Sequence, residues 1–177
     1  MKQFRFIIFL LASLFFIACQ SASPDKFFGQ VVLNTNLIAD FDPTTFGKRL
    51  QQETVEFPDI PSSKKNGDEA QQIVAMKIMS VEKAIKDIKD LNVSDEDAKV
   101  LQQQSVKLFE TVLPVYKNEY TAYAKLCDTK GSDQEKQSLL QKVEKDHLTG
   151  VDELFESVYS LGKAYAEKHQ LNVSWGN

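Results

Sequence analysis

From Val74 onward the apolar residues fall at alternating steps of four and three: Val74, Ile78, Val81, Ile85 and Ile88. An α-helix turns once every 3.6 residues, so this spacing gathers all five on one face, whereas a strand would alternate every second residue. The stripe predicts a helix from about Asp68 to Leu91. Ser94, followed by Asp95, Glu96 and Asp97, reads as a second helix start, with acids at the positive end of the dipole. Leu101, Leu108, Val112, Tyr116, Tyr120, Tyr123 and Cys127 carry that stripe to about Asp128. Gly131 predicts its end, and Ser132 with Glu135 predicts a capping box that opens a third helix. Its stripe is Leu140, Val143, Val151, Leu154, Val158, Leu161 and Tyr165, ending near His169. Long amphipathic helices joined by tight turns predict an all-α fold, an antiparallel bundle of three long helices over residues 67–177.

The preceding stretch, residues 27–66, is too apolar for a linker, with Phe27, Phe28, Phe41, Phe46, Leu50, Phe57 and Ile60 among Asn, Asp and Pro. Asp42 before Pro43 predicts a capped short helix at 43–53, and "PDIPSSKKNGD" (58–68) reads as a loop. At about 1.5 Å per residue the first long helix spans about 36 Å and the other two about 55 Å. The first therefore leaves the far ends of its partners bare, including Tyr120, Tyr123, Leu126, Leu139 and Leu140. The 27–60 arm is expected to pack there as an N-terminal arm containing a short helix, with Phe41, Phe46 and Leu50 closing the bundle.

At the N-terminus, Lys2 and Arg5 precede an apolar run from Phe6 to Ala18 broken only by Ser13. The run falls short of the roughly 20 residues a spanning helix needs, and it has the n-region and h-region of a secretory signal. The residues Phe16-Ile17-Ala18-Cys19 resemble the lipobox of bacterial lipoproteins, with Phe16 where that family usually has Leu. The resemblance covers residues 1–20. It implies removal of the signal peptide 1–18, diacylglycerol on Cys19 and acylation of the new N-terminus, followed by a tether over 19–26. Gln20, rather than Asp, implies sorting to the outer membrane, facing the periplasm, in a Gram-negative cell. More than one acyl chain holds a protein stably on a bilayer.

The whole chain carries a net charge of −4, and loss of Lys2 and Arg5 leaves 19 cations against 25 anions. So acidic a domain is a poor partner for nucleic acid. Only Cys127 remains once Cys19 is lipidated, which excludes an internal disulfide framework.

Few groups suggest chemistry. Glu144 and His147 form Glu-x-x-His, the weak metal candidate of the sequence, but di-metal bundles use two such pairs plus two further glutamates. The simpler expectation is that His147 serves the Glu110 carbonyl that Pro114 leaves free. Cys127, beside Asp128 and on the core face, reads as a buried thiol. Phe109, Tyr116, Tyr120 and Tyr123 form an aromatic stripe that is core if the arm covers it and, with His147, a partner or ligand face if it does not. Asp40 and Asp42 supply too few oxygens for calcium. The expectation is a non-enzymatic envelope lipoprotein without a cofactor beyond its covalent lipid, bound to the membrane by its anchor and touching another envelope protein. The alternative is a carrier or sensor of an apolar, lipid-like ligand.

Overall fold

The computed structural model describes residues 21–175, so the signal peptide and Cys19 lie outside it. Among the described residues the fold is all-helical, without strands. The α-helices are α1 (Pro24–Val31), α2 (Pro43–Glu53), α3 (Glu69–Lys89), α4 (Glu96–Val115), α5 (Thr121–Asp128), α6 (Asp133–Val143) and α7 (Thr149–Lys168). One π-turn, Tyr116–Tyr120, joins α4 to α5, and another, Glu144–Leu148, joins α6 to α7. Each pair thus makes one continuous rod, and five helical runs result.

Both capped starts at 42 and 132 follow the sequence. Asp42 accepts from the Thr45 amide at 2.8 Å, with Pro43 in the first turn, and Ser132 accepts from the Glu135 amide at 3.4 Å. That is the one half of the expected capping box that forms, since the Glu135 carboxylate does not return to the Ser132 amide. The start of α4 moves one residue: Asp95 is the cap, accepting from Asp97. At the start of α3, Asp68 does not cap. Asp128, 57 and 58 residues away, takes the Gln71 and Ala70 amides at 3.1 and 3.0 Å. A carboxylate at the end of α5 therefore satisfies the exposed N–H groups of α3, which fixes those two helix ends against each other.

The end of α5 also departs from expectation. Lys130, not Gly131, takes the left-handed conformation, with φ of 53°. The Lys130 and Gly131 amides return to Cys127 and Leu126, the paired bonds of a Schellman motif. Gln170 (φ 54°) and Leu171 repeat this arrangement after α7.

The tether expected through Lys26 ends earlier. Ser23 caps α1, and Phe27, Phe28 and Val31 are buried. Upstream of it, the Ala22 amide donates to the Asn92 carbonyl at 3.1 Å, and the hydroxyls of Ser21 and Ser94 lie 3.3 Å apart.

The arm closes the core as the helix lengths require. Phe41, Phe46 and Leu50 are fully buried, each worth roughly 1.5–3 kcal/mol of burial. Phe46 meets Tyr116 and Tyr120 edge-on at centroid distances of 5.4 and 4.7 Å. Gly47 eases the packing: a Cβ there would stand 2.9 Å from a methyl of Leu140, whose side chain would have to shift. Lys77 on α3 locks the arm down, donating to the Leu37 carbonyl and the Asp40 carboxylate, both at 2.6 Å. The arm does not pack along its full expected length, however. Val55, Phe57 and Ile60 are exposed.

Two ends of the molecule follow from these contacts. One gathers residues 21–22, 91–95 and 168–171, where Lys168 binds Asp95 and Asp97. The other gathers the 54–67 loop, the start of α3 and the 128–131 turn.

Candidate functional site

The aromatic stripe lies inside the molecule. Phe109, Tyr116, Tyr120 and Tyr123 are all at most 1% exposed, so these four line no open partner or ligand face. Pro114 lacks an amide hydrogen, and the π-turn that follows it brings Tyr116 and Tyr120 together under the arm. Thr121 donates both its amide, across the widened turn, and its hydroxyl, at 2.8 Å, to the Tyr116 carbonyl. Tyr120 donates to the Phe41 carbonyl and Tyr123 to that of Gly47, at 3.3 Å for the latter. The Tyr116 hydroxyl is buried without a partner among the described residues.

Glu144 is exposed and His147 half-buried within the second π-turn. No hydrogen bond joins His147 to Glu110, so the expected service to a freed carbonyl is not made. Its neighbour is Glu119, a buried carboxylate bound by Lys142 at 2.7 Å. Among the described residues no three His, Cys, Asp or Glu side chains gather as metal ligands. Cys127 is buried, and desolvation pushes its thiol up to about 11, far from thiolate chemistry at neutral pH. Asp40 is held by Lys77 and Arg49 and Asp42 by its capping bond, so both acids are spent on the arm.

Two surface features remain. The first is the 54–65 loop. Val55, Phe57 and Ile60 are 44, 56 and 49% exposed, beside Pro58 and Pro61. The loop is nonetheless built. Ser63 accepts from the Phe57 amide at 2.8 Å and donates to the Ile60 carbonyl at 2.7 Å. Glu56 takes the Lys65 amide at 2.9 Å. Glu69 takes the Asn66 and Gly67 amides, chiefly that of Asn66, which holds its carboxyl below the usual range. Gly67, with φ of 90°, turns the chain into α3. Large apolar side chains thus face water on a fixed backbone, which lowers the ordering cost of docking. The sequence held a signal for this: Phe57 and Ile60 each stand immediately before a proline, Pro58 and Pro61, which disfavours helix at both positions, so no helix could turn them inward.

The second is a cleft of about 690 Å³ between the arm, α7 and the C-terminal segment. Asn36, Tyr159, Lys163 and Trp175 line it, with the Lys163 ammonium 5.8 Å from the Trp175 ring centroid. Gly162 lets Val32 approach from behind. Such a volume falls within the roughly 300–1,000 Å³ typical of small-molecule sites.

Compared with protein-family models, with curated proteins and with solved structures, the chain matches none of them.

Proposed function

We propose that this chain is a lipid-anchored, non-enzymatic module of the bacterial cell envelope that offers its 54–65 loop to another envelope protein. The anchor reading rests on the lipobox resemblance at Cys19, outside the described residues. Among the described residues no helix is long and apolar enough to cross a membrane. The observation that carries the interaction reading is the loop itself, three large apolar side chains held outward by a hydrogen-bonded backbone. The groups with chemical promise are engaged elsewhere: the tyrosines in the core, Asp40 and Asp42 in the arm, Cys127 under burial. In this reading the long rods form an antiparallel bundle whose task is to hold the loop away from the anchored end.

The test is the double variant Phe57→Ser, Ile60→Ser, in cells treated with a crosslinker. Because both side chains are exposed, its melting temperature should match the parent, and the crosslinked envelope species should disappear. Retention of the same species at parental yield would contradict the loop as the contact.

The cleft favours a second reading, a carrier or sensor of a small apolar ligand, though away from the tyrosines. Trp175 is the only tryptophan of the chain, so its fluorescence reports on the cleft alone. An apolar anion such as anilinonaphthalene sulfonate should change that fluorescence saturably, and Lys163→Met should weaken the response. A linear, unsaturable response in both proteins would remove this reading.

A further inference from the structure

We infer that the end of the molecule formed by residues 91–95 is seated directly on the bilayer surface, so that the 54–65 loop is held roughly a bundle length away from it. This rests on the reading of Cys19 as lipidated. From Ser21 onward the chain is fixed: the Ala22 amide is bonded to Asn92, the Ser21 hydroxyl lies by Ser94, and Ser23 opens a buried helix. Only Gln20 separates Ser21 from the acylated residue. Two backbone steps reach at most about 7 Å. A flexible tether of n residues would instead let the domain wander about 5–6 Å × √n. The anchor therefore enters the fold at one end, within one residue of a hydrogen-bonded position.

The length of the rods sets the opposite distance. From Glu96 to Asp128 the chain runs without interruption over a contour of about 50 Å at about 1.5 Å per residue, and α3, which returns between the same two ends, spans about 31 Å. Its start lies at the seated end and its finish beside the 54–67 loop, since Asp128 caps α3 there. Charge favours standing over lying. The chain after Cys19 has 19 cations against 25 anions, so laying its flank on an anionic surface brings more like charge close. At the seat itself the three acids Asp95, Glu96 and Asp97 are partly offset by two lysines, Lys168 donating to Asp95 and Asp97 at 2.7 and 2.9 Å and Lys99 to Glu96 at 2.6 Å. Asn92 and Ser94 present neutral polar groups beside them. A lipid surface, not a protein, is the partner this end fits.

The experiment uses the full acylated chain in vesicles of phosphatidylethanolamine and phosphatidylglycerol with an acceptor dye on the headgroups. Donor dyes are attached at Asn172→Cys, near the seat, or at Asp59→Cys, in the loop; both positions are exposed, and Cys127 is buried and stays unlabelled. The mass of the same sample establishes acylation of Cys19. Energy transfer should be several-fold weaker from position 59 than from 172. Inserting eight Gly/Ser residues between Gln20 and Ser21 should shrink that difference. Equal transfer from the two positions in an acylated sample, or a difference indifferent to the insertion, would overturn the seat while leaving the anchor standing. A membrane-extracted chain without acyl groups would overturn the anchor and the seat together.

Discussion

At the scale of single residues, two neighbouring tyrosines carry opposite predictions. Tyr120 spends its hydroxyl on the Phe41 carbonyl, whereas the hydroxyl of Tyr116 is buried without a partner. A buried polar group without a hydrogen bond costs about 1–3 kcal/mol, and a satisfied one contributes about 1. Tyr116→Phe should therefore leave stability unchanged or raise it by up to about 1 kcal/mol, and Tyr120→Phe should lower it by about 1, both by urea denaturation. Equal losses in the two variants would contradict the geometry. Asp128 is the second case. Its Ala variant leaves the Ala70 and Gln71 amides unbonded and should cost about 1–2 kcal/mol, a large value for a residue at a helix terminus. Neither residue was legible in advance. Sequence spacing places both tyrosines on the core face, but which hydroxyl finds a carbonyl depends on the arm's path. The acid nearest the start of α3 is Asp68, and only the fold brings Asp128 there from nearly sixty positions away.

At the scale of elements, local signals did best where one residue type has one job. Pro43 behind Asp42, and Ser132 three before Glu135, mark helix starts that the structure keeps. The three-four stripes gave all the long helices, and the mismatch in their lengths correctly sent Phe41, Phe46 and Leu50 to the bare end. The π-turns were hidden, because a single extra residue in a turn shifts the stripe too little to read, although Pro114 marked where the first would fall. Helix α1 leaves little trace in the sequence because Ser23-Pro24 sits in the polar stretch after Cys19 and its eight residues are too few for a periodic pattern. Between the two π-turned rods lies Glu119. Burial is the largest single influence and raises its carboxyl. The bond and charge of Lys142, a backbone hydrogen bond and nearby His147 together outweigh it and hold the group below its ordinary value of 4.5. A depressed carboxylate contributes stability that is present above the unfolded value and lost as pH falls through the folded one. Glu119→Gln should thus be less stable than the parent at neutral pH. The gap should close on acidification below about pH 4. A gap that widened in acid would show that the ion pair does not link these rods.

For the whole molecule, the two ends have different chemistry and the fold keeps them apart. The 91–95 end is polar and bonded to Ser21 and Ala22; the 54–67 end exposes Val55, Phe57 and Ile60 to water. Between them stands a core sealed by the arm, in which the residues that first suggested a site do structural work. Pro58 and Pro61 mark a loop in the sequence and keep Phe57 and Ile60 out of a helix, but the ties that Ser63 and Glu56 make to the backbone, which fix that loop with Val55, Phe57 and Ile60 exposed, follow no sequence pattern. Every distance in this arrangement is counted from Cys19. The most direct measurement is therefore the intact mass and fragmentation of the chain's N-terminal peptide after extraction from membranes. A peptide that begins at Cys19 and carries diacylglycerol and an N-acyl group is the predicted result. An unmodified Cys19, or a mature chain that begins elsewhere, would contradict the account.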